Sequence, residues 1–277
     1  MVYSELLKFQ SLNNRDIKFQ IVNFGTGMGF YDFNYEGICE SAFNFALTQQ
    51  TLEFDYKLLN FYSNLLEKGC YVCLVLPFCI FCANSLEETR ELYARYYKIL
   101  PAAEVEVCCG LTYEEYCESF RTLDTGNLVS TLNRALSNED MYVQSVETIK
   151  TWERQLQLVS CQSGIVSPYA QNEIRKTKEW LRNIFRLCSD KGFWPVVIVP
   201  PMSHILLEMI APSFRESHFY NILDEIVPNT VPIIDYTRED YFCNPEFYGW
   251  PGFLIEDAAK EFTKDVLKKL SIYNSGV

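Results

Sequence analysis

A hydroxyl and an imidazole are the smallest pair that can run nucleophilic catalysis. The chain places one of each just after an apolar run. Thr26 lies in Gly25-Thr26-Gly27-Met28-Gly29, directly behind the run Lys18 to Phe24. His204 follows the run Trp194 to Val199 through Pro200-Pro201-Met202-Ser203. If both runs are strands of one parallel sheet, both side chains stand near its carboxyl edge, where open α/β sheets bind ligands. His204 would then take the Thr26 proton as general base. The plainer reading of His204 is a helix-start residue on the rim. His218, in SFRESHFYN, reads as a surface residue.

Three further groups invite chemistry. Gly25-x-Gly27 opens like a dinucleotide fingerprint, but Phe30 stands where the third glycine belongs, and no Gly-Lys-Ser/Thr follows. A phosphate-cradling loop is therefore excluded as written, and the glycines read as a tight turn needing positive φ. Cys70-x-x-Cys73 and Cys79-x-x-Cys82 resemble a pair of metal knuckles. In a strand, positions i and i+3 point to opposite faces, so neither pair converges on one ion and both read as core cysteines. Asp235, Glu239 and Asp240, with Glu246 nearby, offer carboxylates for acid–base work or a cation, or form a solvated loop. Neither a metal nor a cofactor is expected.

The elements that must position these groups alternate. Strands are predicted over Lys18 to Phe24, Ala42 to Ala46, Tyr71 to Phe78, Trp194 to Val199 and Val231 to Asp235. Helical spacing of apolar residues fills Leu52 to Lys68, Asn172 to Asp190 and Glu256 to Leu270, the second closed by Gly192. Strands separated by helices imply crossovers and a parallel sheet. Residues 85–165 break the alternation and read as a helical insertion in one domain spanning 1–277, because no Gly-, Pro- or Ser-rich linker isolates them. The aromatic share is 15%, and it falls mostly inside periodic apolar patterns, which points to a bulky core. A net charge of −12 argues against nucleic acid and anionic membrane surfaces as partners. The longest apolar run, Cys70 to Ala83, is too short to span a bilayer and contains a proline. The opening MVYSELLKFQSLNNRDIKF lacks an apolar signal core, so a cytoplasmic location and reduced thiols are expected.

Several blocks together resemble bacterial SGNH-hydrolase-like proteins of the surface-polysaccharide and teichoic-acid D-alanyl-transfer type. Asn23-Phe24-Gly25-Thr26-Gly27-Met28 is similar to that family's Asn-x-Gly-Ser-Ser-His opening. Phe43-Asn44-Phe45-Ala46-Leu47-Thr48-Gln49-Gln50 resembles its second block, and Asp235-Tyr236-Thr237 with Asn244-Pro245-Glu246-Phe247 the lead-in to its closing Asp-x-x-His. The resemblance covers most of the chain outside the insertion. It implies a three-layer α/β/α sandwich with a five-stranded, mainly parallel, flavodoxin-like sheet.

The departures are all at reactive positions. The family's nucleophilic serine aligns with Gly27, its oxyanion-hole glycine with Gln49, and its acid and base with Gly249-Trp250-Pro251-Gly252. The resemblance therefore implies a non-catalytic cleft, lined by Gly25, Thr26, Gly27, Met28, Asn44, Gln49, Asp235 and Trp250. That cleft would take a glycan, an acyl group or a partner protein, with space left at Gly27 and Gly252 and Trp250 stacking on a sugar. The alternative is an active carbohydrate esterase or O-acyltransferase using Thr26 and a relocated base, with His204 the first candidate.

Overall fold

A computed structural model describes residues 2–14, 18–82, 94–109, 112–115 and 133–274. Helix α1 (Val2–Gln10) leads into β1 (Phe19–Gly25), the short α2 (Gly27–Tyr31) and β2 (Ala42–Asn44). Helix α3 (Leu52–Tyr62) and β3 (Leu66–Val75) complete the first half of the sheet. Next come α4 (Ala102–Cys109), α5 (Asn138–Gln155) and the hairpin of β4 (Leu158–Ser160) and β5 (Ile165–Val166). The long α6 (Pro168–Lys191) returns the chain to β6 (Trp194–Val199). Short helices α7 (His204–Glu208) and α8 (Pro212–Arg215), a π-helical turn (Glu216–Tyr220) and α9 (Asn221–Ile226) precede β7 (Ile233–Asp235). A second hairpin, β8 (Tyr248–Trp250) and β9 (Phe253–Leu254), leads into α10 (Glu256–Asn274).

Five strands form one all-parallel sheet in the order β2-β1-β3-β6-β7. Counted among themselves they run 2-1-3-4-5, the flavodoxin-like order, whose switch point lies between β1 and β3. Helices cover both faces, giving the α/β/α sandwich. On β3, Cys70 lies near Cys188 of α6, while the Tyr71 hydroxyl donates to the Leu270 carbonyl of α10 at 3.2 Å. Successive strand residues thus serve opposite layers, which is why β3 reads as unbroken apolar sequence. Register pairs Gly25 with Val75, Val75 with Ile198, and Val199 with Asp235, so the strand ends share one edge.

Many of the aromatics are core, although Phe61, Tyr142, Trp194 and Tyr241 are exposed. Phe9, Phe19, Phe43 and Phe45 form edge-on and tilted pairs, and Phe24 stacks on Phe45 at 5.1 Å. Each ring contributes roughly 1.5–3 kcal/mol of burial. From the expected insertion, buried Tyr96, Val105, Met141 and Ile149 join the same core as Phe19 and Leu270. Residues 85–93, 110–111 and 116–132 of it lie outside the described residues.

Both ends of β3 differ from the sequence expectation. The helix ends at Tyr62, and β3 begins at Leu66, inside the predicted helix. Leu66 continues the helical spacing, but pairing with Phe19 and a Gly69 N–H bond to the Gly192 carbonyl pull the segment into the sheet. At its other end β3 stops at Val75, because Pro77 has no N–H to offer a ladder. Cys79 therefore lies in a turn, and Cys82 in a 3-10 turn (Ile80–Cys82), not in a strand. No described helix is long and apolar enough to cross a membrane.

Candidate functional site

The carboxyl end of β1 is built on one obligatory glycine. Gly25 has φ +133°, and a Cβ there would stand 2.6 Å from the Val75 carbonyl oxygen of the neighbouring strand. Thr26 then starts α2 without a side-chain cap. Two amides hold the turn from below. Asn23 Nδ2 donates to the Gly29 carbonyl at 2.9 Å, and Asn44 Nδ2 reaches the carbonyls of Gly29, Phe30 and Phe33 at 3.0–3.2 Å. Asn44 Oδ1 also accepts from Asn23 and from the Ala46 N–H. These bonds satisfy carbonyls that a five-residue helix leaves orphaned. Asn44, expected in a ligand cleft, is thus a clamp on the turn.

The space expected at Gly27 and Gly252 is filled. A Cβ on Gly27 would lie 2.8 Å from Cζ of Phe253, and one on Gly252 would lie 2.4 Å from Cε of Met28. The Tyr31 ring packs on Phe253 at 4.9 Å. Asp32, at the end of α2, accepts the Leu254 N–H at 2.9 Å. The β8–β9 hairpin is therefore seated on α2, and apolar side chains occupy the room beside Gly27 and Gly252. Interiors close-pack, so small residues leave no standing void when a neighbouring side chain can fill it. Trp250 is half-buried at the end of β8, and Gln49 is exposed with φ +52°.

Thr26 and His204 are not joined. The Thr26 hydroxyl is half-buried and hydrogen-bonds to no described residue. His204 is exposed at the start of α7, which Ser203 caps by accepting the Leu206 N–H at 3.3 Å. Its own N–H donates to the Cys243 carbonyl at 2.9 Å, and its Nδ1 lies 3.3 Å from the same oxygen. His204 is the helix-start residue of the plainer reading. His218 is not a simple surface residue, because its Nε2 lies 2.6 Å from the Gly164 carbonyl and its ring packs on Phe214.

The acidic residues after β7 do not converge. Asp235 accepts from the Thr237 N–H at 3.0 Å, the Thr237 hydroxyl at 2.6 Å and the Tyr220 hydroxyl at 2.8 Å, and pairs with Arg238 Nε at 3.0 Å. Those contacts occupy both of its oxygens. Glu239 pairs instead with Lys269 on α10. Among the described residues no three His, Cys, Asp or Glu side chains are grouped to hold a metal. Burial pushes the thiols of Cys70, Cys73, Cys82 and Cys188 up, the second and last to about 12.

Two carboxylates escaped sequence reasoning. Asp55 of α3 is 1% exposed and lies directly behind the β1 turn. It accepts the Gly25 N–H at 3.1 Å and Gln50 Nε2 at 2.5 Å, and Gln50 in turn accepts the Tyr96 hydroxyl at 3.0 Å. Burial raises its carboxyl to about 7, although both hydrogen bonds oppose the shift. Burial likewise raises Asp32 well above the usual carboxylate range. Each has one oxygen that meets no hydrogen-bond partner. Both are sealed from solvent, so they hold the turn and cannot reach a substrate. In sequence Asp55 reads as an acid in the first turn of an amphipathic helix, and nothing local marks it as buried.

No family model matches the chain, and no curated protein matches it.

Proposed function

We propose that the chain is a non-catalytic, SGNH-hydrolase-like binding or accessory protein serving bacterial surface-polysaccharide or teichoic-acid modification. Its ligand would be a glycan, an acyl-bearing group or a protein partner, held at the carboxyl edge of the sheet. The observation that carries the non-catalytic reading is the Phe253 ring over Gly27. A nucleophile, its base and an orienter are all needed for serine-type ester chemistry. The edge instead offers a lone Thr26 hydroxyl, an exposed His204 bonded to a backbone carbonyl, and an Asp235 saturated by its own turn. The family part of the reading is supported by the 2-1-3-4-5 sheet and by the Asn-x-Gly turn at the end of β1.

The test is turnover of small acetyl esters by the purified protein, with Thr26→Ala as control. The expected result is no turnover above that control, together with retention on an array of bacterial surface glycans that weakens in Trp250→Ala. Hydrolysis that Thr26→Ala abolishes would refute the non-catalytic reading and make His204 the first base to test.

A further inference from the structure

Three strands away from the glycine turn, a pocket of about 210 Å³ opens between the π-helical turn and the residues that follow β7. Arg215, Tyr220, Thr237 and Arg238 line it, with Pro212 and Glu216 at its sides. It sits at the carboxyl end of an edge strand, the side on which parallel sheets bind ligands. Its size is below the roughly 300 Å³ of pockets for drug-sized molecules, so it suits a small ion or the end of a larger one.

The charges in it are unbalanced. Arg215 is half-buried, and its Nε is buried without a hydrogen-bond partner. Among the described residues its guanidinium forms no ion pair or hydrogen bond. It lies instead over the Phe78 ring, whose centroid is 5.8 Å from Cζ. Cations removed from water are normally paired, because desolvation penalises a lone charge. Arg238 is different. Its Nε is tied to Asp235 and its plane lies over the Tyr220 ring at 5.2 Å, while its side chain remains 72% exposed. That arrangement orients the guanidinium beside Tyr220 while most of the side chain stays exposed. Asp235 does not line the pocket, and its oxygens are already engaged. Glu216 does line it, exposed, but makes no ion pair with either arginine. The π-helical turn adds a second reason to look here, since such turns recur at functional sites.

We propose that the pocket of Arg215, Tyr220, Thr237 and Arg238 is an anion subsite that takes a phosphate group, free or as the charged end of a small molecule. Two guanidinium groups supply the planar, multi-donor surface that phosphate oxygens favour. The pocket shares no lining residue with the glycine turn, and the proposal does not rest on the proposed function. The chain carries a net charge of −12, so diffuse surface attraction for anions is weak and any saturable phosphate binding must be local.

Calorimetric titration of the full chain with inorganic phosphate, and separately with phenyl phosphate, tests this. One saturable site is expected. Arg238→Gln and Arg215→Gln should each weaken it about tenfold or more, the loss of a charge-assisted contact. Glu216→Gln should tighten it, and Arg186→Gln, an exposed arginine on α6, should leave it unchanged. Tighter binding of phenyl phosphate assigns the anion to a larger ligand, and equal binding assigns it to the free ion. Saturable binding of neither probe, or an affinity unchanged in Arg238→Gln, overturns the proposal. Arg238 is at the surface, so that variant decides the matter even if Arg215→Gln fails to fold.

Discussion

Replacing Asp55 by asparagine should make the protein more stable at pH 8 and leave it nearly unchanged at pH 4. The carboxyl is raised from 3.8 to about 7 by burial. Between those values the folded state holds a proton that the unfolded chain has released. Stability from this group is therefore fully present below pH 4, falls as pH rises, and is lost once pH passes 7. A shift of about three units at about 1.4 kcal/mol each gives an upper limit of about 4 kcal/mol. With 1% exposure there is little solvent screening to discount, although relaxation of the turn lowers the observed value toward about 2 kcal/mol. Asparagine keeps an oxygen for the Gly25 N–H and for Gln50 Nε2. Its amide nitrogen replaces an oxygen that already lacks a partner, so the variant mimics the protonated wild type. Urea unfolding of both proteins from pH 4.5 to 8 measures the effect, and taking the difference cancels the general titration of an acidic chain. A difference that stays flat with pH, or a variant weaker than wild type at pH 8, would refute the reasoning by showing that Asp55 ionises without a burial penalty.

Two other perturbations follow from the packing. Gly27→Ser drives a Cβ into the Phe253 ring, for a loss of about 1–3 kcal/mol. Phe253→Ala loses about 2 kcal/mol alone, and the double variant should recover at least about 1 kcal/mol of the sum, as urea midpoints in a double-mutant cycle will read. Strict additivity would mean that the two residues do not compete for one space. Ser167→Ala removes the hydroxyl that accepts the Ala170 N–H at 3.1 Å at the start of α6. A thermal melt should register a loss of about 1 kcal/mol, and an unchanged melt would show that Pro168 alone suffices to start the helix.

Most of the sheet was legible because its signals are local. The run Trp194 to Val199 is β6 as read, and Lys18 to Phe24 is β1 shifted by one residue. Gly192 closes α6 with φ +70°, as its place after an amphipathic pattern required. β3 was half-legible. Tyr71 to Phe78 reads as a strand from composition, but Leu66 to Lys68 falls in the helical spacing that begins at Leu52, and only pairing with Phe19 decides it.

By itself, the sequence determined the α/β alternation and the tight turn at Gly25, because backbone sterics and residue identity need no partner. Tertiary structure alone decided what fills the space around that turn. Phe253 over Gly27, Met28 under Gly252, Asp55 beneath the Gly25 N–H and Arg215 lining one pocket with Arg238 all join distant segments. Their chemistry depends on burial and on neighbours, and neither exists until the sheet has brought its strand ends to one edge.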